Sequence, residues 1–256
     1  MSSRTIRLAM DYGHYVPCDI EGNLLRIGAS IEMAIEEGCD IVCFPEAAVT
    51  GYSSKDICSV SDDDGTMRSI ARMSKNITVV VGAFERCDRM HITQYVFRNG
   101  DLIGKYRKTH LGMNETVFTR GDDLPVFDAG VCNIGIQICW EMHFPEITAT
   151  YRIRNADLVL NPTASGLPPE RRMASWRRLV PVRADDNRIF YAACNHDNES
   201  VICCGPDGKE IDGREIGEHL TMYELDFSLI DRYRAQKETM SNIDYPKHFR
   251  PELYDL

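Results

Sequence analysis

Three residues with reactive side chains follow apolar runs of the sequence, at the points where those runs end. Glu46 comes after DIVCFP, Lys108 after DLIGKYR, and Cys139 after NIGIQI. A thiol is a strong nucleophile only as the thiolate, and a neighbouring carboxylate can take its proton. A lysine can stabilise the resulting charge and face the oxyanion of a tetrahedral intermediate. These residue types together indicate covalent catalysis by a cysteine, although spacing alone does not couple them.

A histidine-assisted cysteine is the alternative reading of the same residues, with His110 or His143 as the base. Most of the other nine cysteines are expected to be core residues, since they lie in apolar runs such as DIVCF and FYAAC. The sequence has no C-x-x-C pair and no pair of histidines at ligand spacing, so we predict no metal site. Without a secretion signal, we expect all ten thiols to be reduced, as in the cytosol.

Composition restricts the partners of the chain. It has 256 residues and a net charge of −10, which argues against binding to the phosphates of nucleic acids. The sequence has no run of 18 apolar residues, so we predict no membrane-spanning helix. The N-terminus lacks the apolar region of a signal peptide. At 43% hydrophobic residues the chain can bury a large core. We therefore predict a cytoplasmic protein with one domain over residues 1–256.

Buried strands alternate with helices along the chain, which indicates a layered α/β fold. Hydrophobic periodicity predicts helices over 23–37, 65–73 and 169–187, with Pro181 as a kink or an end of the third. Strands are predicted over 39–46, 77–84, 133–138, 156–161, 189–195 and 220–227. The Asn99-Gly100 pair and the GPDG segment predict hairpins, so the sheets are expected to be mixed.

Strand ends explain how the reactive residues could meet. In layered α/β proteins, ligands bind beyond the carboxyl ends of the strands. Asn161 and Asn195 also end predicted strands, and we expect them to tie neighbouring strand ends together. A carboxylate, a lysine and a thiol that gather at this edge would form a reaction centre.

Three motifs in order, FPEAAVTGY, YRKTHL and ICWEMHFPE, resemble those of the carbon–nitrogen hydrolase (nitrilase) superfamily. The likeness continues through NPTASG, RADDNRIFYAACN and GPDGKEI and ends at FRPELYD, so it covers nearly the whole chain. The resemblance implies a four-layer αββα sandwich with two mixed sheets between helical layers. It also implies a homodimer or larger homo-oligomer, joined through the region after the cysteine, and no cofactor.

Site residues carry over from this resemblance by motif. Glu46 resembles the general base of the family, Lys108 its catalytic lysine and Cys139 its nucleophile. The backbone N–H of Trp140 is expected to help bind the oxyanion, and its side chain to line the pocket. Glu115 sits where many members have a second glutamate that positions the substrate and the lysine. The implied activity is hydrolysis of a small amide through a thioester on Cys139.

The sequence departs from the commoner amidase pattern directly after the cysteine. Many amidase-like members have an Asp two residues after it and an Arg two residues later, where this chain has Glu141 and His143. Cys-Trp-Glu is also found in true nitrilases. Hydrolysis of a nitrile or an N-carbamoyl compound therefore stays an alternative to amide hydrolysis, and a catalytically silent scaffold is the non-enzymatic one.

Supporting roles are expected for the polar residues near the motifs. Glu141 should contact Lys108 or a helix end, and His143 should be structural. The arginines around Trp176 are expected to form a solvated helix face, the alternative being that one of them holds a substrate carboxylate through a bidentate pair. They are Arg171, Arg172, Arg177 and Arg178.

Overall fold

Two mixed β-sheets form the centre of the protein in the computed structural model, which describes residues 4–235, 248 and 250–253. The strands are β1 (Thr5–Asp11), β2 (Ile41–Cys43), β3 (Thr78–Arg86), β4 (Met90–Arg98), β5 (Asp101–Arg107), β6 (Phe127–Asp128), β7 (Asn133–Ile136), β8 (Leu158–Thr163), β9 (Phe190–Asn195), β10 (Val201–Cys204), β11 (Arg214–Gly217) and β12 (Leu220–Asp226). One sheet has the order β11-β12-β1-β2-β3-β4-β5 and the other β10-β9-β8-β7-β6. Each contains three neighbouring parallel strands, β1-β2-β3 and β7-β8-β9, with antiparallel strands outside them.

Helices cover the outer face of each sheet. They are α1 (Ile20–Glu36), α2 (Gly65–Met73), α3 (Pro145–Ile153) and α4 (Pro169–Asn187). A fifth helix, α5 (Ser228–Ala235), instead places Ile230 in the core between the sheets. Alternate residues of a strand point to opposite faces, so Leu8 and Met10 of β1 join the core between the sheets while Ala9 packs with α1 and α2. On the other side, α3 and α4 pack against β8 and β9. The predicted four-layer αββα sandwich is therefore confirmed.

Local sequence signals account for most element ends. Helix α1 begins three residues before the predicted start, because the carboxylate of Asp19 accepts a hydrogen bond from Gly22 N and caps it. Gly38 follows the helix with φ of +69°, as expected for a C′ glycine. Asn99 and Gly100 have φ of +56° and +90°, the left-handed pair that a two-residue hairpin requires.

Two expectations about the elements are wrong. The strand predicted over 39–46 is only Ile41–Cys43, because the chain leaves the sheet before Glu46. The strand predicted to end near Asn161 instead runs on to Thr163. Helix α4 covers Pro169–Asn187, as predicted. Of the kink or end expected at Pro181, the end does not occur, because buried Val180 and Ala184 on either side of the proline hold both parts of the helix against the sheet.

The ten cysteines are not all free thiols. Cys18 and Cys58 form a disulfide, because the loop after β1 and the irregular segment before Val60 meet with their Cα atoms 5.3 Å apart. The expectation of reduced thiols is wrong for this pair. The FRPELYD motif, residues 249–255, lies partly outside the described residues. No described helix is long and apolar enough to cross a membrane.

Gly82 in β3 lets the segment that carries Glu46 pack directly on the sheet. A Cβ at this position would lie 2.4 Å from Ala47 N and 2.8 Å from Pro45 O, both backbone atoms. We expect Gly82→Ala to lower the free energy of unfolding by about 1–3 kcal/mol and to reduce activity by displacing Glu46. Urea denaturation checks this, with Gly65→Ala as the control, because the nearest atom of the described residues to its Cβ is Arg68 Nη2, at 3.9 Å. Equal stability of the two variants would contradict the packing argument.

Candidate active site

Glu46, Lys108 and Cys139 meet at one edge of the sandwich. Lys108 Nζ donates to Glu46 Oε1 at 2.8 Å and to Glu115 Oε1 at 2.7 Å, and both Glu46 and Lys108 are only 1% exposed. Glu46 Oε2 is buried, with no hydrogen-bond partner of normal geometry among the described residues. The half-buried Cys139 thiol lies close enough to this carboxylate to interact with it. One lysine thus lies between two carboxylates, beside a thiol.

Glu46 is held by the backbone around it. Two residues before it, the N–H of Phe44 donates to Val80 O of β3 at 2.8 Å, and the Phe44 carbonyl accepts from Gln94 Nε2 at 3.0 Å. Directly after it, Ala47 has φ of +56°, a left-handed conformation that turns the chain sharply. These constraints on the flanking backbone hold the glutamate in place after β2.

Lys108 follows the last residue of β5. Its backbone is fixed on both sides, because its N–H donates to Ile92 O at 2.8 Å and its carbonyl accepts from Gly121 N at 2.9 Å. With the backbone fixed, the side chain reaches into the interior between Glu46 and Glu115. A buried ammonium requires such ion pairs, since an unpaired charge in the interior would cost much free energy.

Cys139 opens a short 3₁₀ turn, Cys139–His143, with φ of +57°. A left-handed conformation at a residue other than glycine stores strain, and such strain is concentrated at functional sites. The turn is tied to β8, because Asn161 Nδ2 donates to Gln137 O at 2.6 Å and to Cys139 O at 3.1 Å. The predicted role of Asn161 in joining strand ends is therefore the one observed.

Burial and charge act against each other in this cluster. Burial raises the pKa of Glu46, Lys108 opposes the shift, and Glu115 adds to it. Burial and the Glu46 carboxylate raise the pKa of the Cys139 thiol to about 12, against the attraction of Lys108. Burial disfavours the charge on Lys108, but Glu46, Cys139 and Glu115 outweigh it and raise the pKa of the ammonium. The resting cysteine is therefore a neutral thiol next to a carboxylate that can take its proton.

The raised pKa of Glu46 sets an expected pH profile. A general base works only when deprotonated, so kcat/KM should fall as pH decreases through a pKa above the ordinary value of a glutamate. We expect this acidic limb in initial rates of amide hydrolysis, measured between pH 4 and pH 9 at constant ionic strength. A profile that stays flat down to the ordinary glutamate pKa would contradict the assignment of Glu46 as the base.

Glu115 holds the lysine from the side opposite Glu46. It is 5% exposed, and its Oε1 accepts from both Lys108 Nζ and the hydroxyl of Tyr52, the latter at 2.8 Å. Its Oε2 accepts from Gly112 N at 2.6 Å. The sequence did not indicate Tyr52 as a site residue, although it ends the FPEAAVTGY motif, because nothing in one sequence gives the partner of a tyrosine hydroxyl.

Glu141 and Trp140 lie beside the cluster. One expectation was a contact between Glu141 and Lys108, and this contact is not formed. The buried carboxylate of Glu141 instead accepts from the backbone N–H groups of Thr109 and His110, directly after the lysine. Trp140 is 40% exposed, and its Nε1 donates to His110 O. Together with Glu115, Trp140 lines a cavity of about 780 Å³.

Neither histidine candidate is arranged as the base of the cysteine. The His110 ring packs 4.1 Å from the Phe144 ring, and its Nδ1 lies 2.9 Å from Thr109 Oγ1. His143 is exposed at the end of the 3₁₀ turn. In the described part of the chain, no hydrogen bond joins either ring to Cys139, whereas Glu46 interacts with it. The geometry favours the carboxylate over a histidine.

The arginine cluster on α4 divides into two kinds. Arg171, Arg177 and Arg178 are exposed, as expected for a solvated face. Arg172 is buried and bonded to Asp197, to Ser200 Oγ and to the carbonyls of the loop at 165–167. That loop is also held by Asn195, whose Oδ1 accepts from Ser165 N at 2.7 Å. The guanidinium of Arg172 is thus engaged in fixing the loop.

Comparisons with known proteins agree with this geometry. Residues 6–235 match the model of the carbon–nitrogen hydrolase family. The chain is 27% identical over 272 residues to the chloroplastic omega-amidase of Arabidopsis thaliana, covering 94% of this chain and 72% of that protein. It is 25% identical to the human omega-amidase, with 84% and 86% covered.

A solved structure of an amidase has the same fold as this chain. A variant of the amidase from Nesterenkonia sp. AN1 superposes with a TM-score of 0.81 at 26% identity, covering 98% of this chain and 96% of that one. That structure carries the acetamide moiety of fluoroacetamide covalently on its active-site cysteine. The αββα sandwich, the clustered glutamate, lysine and cysteine and the family match together identify the chain as a member of the carbon–nitrogen hydrolase family, the nitrilase superfamily of enzymes that hydrolyse carbon–nitrogen bonds other than peptide bonds.

Proposed function

We propose that the protein is a thiol amidohydrolase that cleaves a small amide to a carboxylic acid and ammonia or an amine. The observation that carries this proposal is the contact of Glu46 with both Lys108 and Cys139 inside a buried cluster. Such a carboxylate can move a proton between the thiol, the leaving nitrogen and water, which is what amide hydrolysis through a thioester requires.

Acylation begins when Cys139 Sγ attacks the amide carbon and Glu46 takes the thiol proton. The carbonyl oxygen becomes an oxyanion, which the Lys108 ammonium and the Trp140 backbone N–H stabilise. The intermediate collapses as Glu46 gives its proton to the nitrogen, the C–N bond breaks, and ammonia or an amine leaves. Because Glu46 has a raised pKa, its proton can be transferred to the leaving group near neutral pH.

Deacylation repeats these steps with water. Glu46 takes a proton from a water molecule, whose oxygen attacks the thioester carbon, and the same donors hold the second oxyanion. Collapse breaks the C–S bond, and the proton on Glu46 returns to Cys139 as the carboxylic acid leaves. The pair of carboxylates around Lys108 keeps the lysine protonated throughout, because each favours its charge.

The cavity beside the cluster supports a preference in the acyl chain. Its walls carry the apolar side chains of Leu111, Met113, Phe118 and Trp140, and Arg120 also lines it. The Arg120 guanidinium has no ion pair or hydrogen bond within the described chain. An unpaired guanidinium near apolar walls suits an acyl chain that ends in a carboxylate. The omega-amidases among the relatives fit this preference.

Ammonia release across a substrate panel tests the activity and the preference together. We expect turnover of ω-amides of dicarboxylic acids to exceed that of uncharged aliphatic amides, N-carbamoyl compounds and nitriles. Arg120→Ala should raise KM for the ω-amides roughly ten- to hundredfold, the effect of losing a charged hydrogen bond, and leave neutral amides unchanged. Arg178→Ala, on the exposed face of α4, is the control. Release from nitriles alone would overturn the amidase assignment.

A further inference from the structure

The carboxylate of Glu141 connects the two segments that carry the nucleophile and the lysine. It is 0% exposed and accepts hydrogen bonds from two directions. One direction is the turn that begins at Cys139, and the other is the chain directly after Lys108. Tyr106 closes the arrangement, since its hydroxyl lies 2.8 Å from both carboxylate oxygens.

One oxygen of Glu141 caps the strained turn. Ile138 N, the amide directly before Cys139, donates to Glu141 Oε2 at 2.6 Å. The backbone of Glu141 also closes the turn, because its N–H donates to Ile138 O at 3.2 Å. Since Cys139 has φ of +57°, the local backbone alone would not favour this conformation. The Glu141 carboxylate therefore supplies part of the free energy that holds the nucleophile in place.

The other oxygen of Glu141 holds the segment of the lysine. Glu141 Oε1 accepts from Thr109 N at 2.8 Å, Thr109 Oγ1 at 2.7 Å and His110 N at 3.0 Å. Thr109 is bonded covalently to Lys108, so this oxygen fixes the backbone from which the lysine side chain starts. A single carboxylate thereby sets the separation between the turn of Cys139 and the start of the Lys108 side chain.

The arrangement requires a negative charge. Burial alone would raise the pKa of Glu141, but the side chain of His110, the N–H of Ile138 and the Thr109 hydroxyl lower it below its usual range. In the described chain, each hydrogen-bond partner of the carboxylate acts as a donor. A glutamine would place an NH₂ group against one set of these donors, where it could only repel them, and would lose acceptor capacity on that side.

We propose that Glu141 is a positioning residue that aligns the Lys108 ammonium with Cys139 for oxyanion binding, without touching the substrate. This inference rests on the proposed amide hydrolysis. It predicts a loss of transition-state stabilisation when the carboxylate is altered, because a displacement of about 1 Å in such a site can cost a hundredfold in rate. Substrate binding should be preserved, since Glu46, Lys108, Glu115 and the cavity walls remain present.

Kinetics of Glu141→Gln and Glu141→Asp test this role. We expect Glu141→Gln to lower kcat ten- to hundredfold with KM within twofold of wild type, and Glu141→Asp, which retains the charge, to recover part of the loss. Asp11→Asn is the control, because Asp11 is a buried carboxylate that accepts from Gly13, Tyr15 and Ser30 away from the cluster. It should keep its kcat when folded.

Two further outcomes decide against the proposal. A folded Glu141→Gln with unchanged kcat would overturn it, and so would a rise in KM at constant kcat, which would indicate a contact with the substrate.

If Glu141→Gln does not fold, Thr109→Ala replaces it as the test. Removal of this one donor should lower kcat severalfold, Thr109→Ser should restore it, and an unchanged kcat in Thr109→Ala would overturn the proposal. Failure of the amidase assignment itself would appear differently, as ammonia release by the wild-type protein from nitriles alone.

Discussion

Replacing Cys139 by alanine is expected to lower ammonia release by at least about a thousandfold, because loss of the nucleophile removes the covalent route altogether. The fold should persist. The side chain is half-buried, and the change removes only one sulfur atom from a turn that Asn161 and Glu141 continue to hold through contacts with the backbone.

Steady-state rates of ammonia release and the urea denaturation midpoint measure the two parts of this expectation. The matched control is Cys203→Ala, which removes a fully buried thiol from the core between the sheets. It should cost stability and leave kcat unchanged in the folded protein. Full turnover by Cys139→Ala would show that the nucleophile is elsewhere.

Replacing Glu46 by glutamine is expected to lower kcat/KM by about a hundred- to ten-thousandfold, the usual contribution of a general base. The change removes the proton acceptor for a thiol whose pKa burial has raised to about 12. It also removes one of the two carboxylates that bind Lys108, so the amide group of glutamine would face an ammonium. Both effects act on the same steps of the reaction.

Alkylation of Cys139 by iodoacetamide isolates the first effect, because alkylation needs the thiolate but no oxyanion. The rate at Cys139 in Glu46→Gln should fall well below that in the wild type, while the rate at the exposed Cys87 stays the same in both proteins. Asp11→Asn, a buried carboxylate variant away from the site, controls for the general loss of a charge. Equal alkylation of Cys139 with and without Glu46 would rule the glutamate out as the base.

The layers and the three central residues could be predicted from the sequence because each leaves a local signal. Buried strands, amphipathic helices and the Asn99-Gly100 turn have short-range patterns, and they indicated a layered α/β fold with mixed sheets, while the four-layer αββα arrangement came from the family resemblance. Glu46, Lys108 and Cys139 stand at the ends of apolar runs, and their motifs gave the family. Asn161 and Asn195 could be placed for the same reason.

The contacts between distant loops could not be predicted from the sequence, since no periodic pattern encodes them. Tyr52 and Glu115 are 63 residues apart, and their hydrogen bond depends on how two irregular segments cross. The five donors around Glu141 come from two distant parts of the chain, the end of β5 with the residues after it and the residue before Cys139. The Cys18–Cys58 disulfide joins two loops in the same way, and the expectation of ten reduced thiols, which rested on the lack of a secretion signal, did not foresee it. The homo-oligomer and the cytoplasmic location stay predictions.

Mass spectrometry of the acylated enzyme tests the central claim, covalent catalysis through Cys139, most directly. The Glu46→Gln variant is mixed with p-nitrophenyl butyrate, whose leaving group needs no proton from Glu46, and is quenched in acid. Because loss of the base also slows hydrolysis of the thioester, one butyryl group per chain should accumulate on the peptide that carries Cys139, and none on Cys139→Ala under the same conditions. A butyryl group on another residue in a protein that still hydrolyses amides, or equal labelling of Cys139→Ala, would contradict the account.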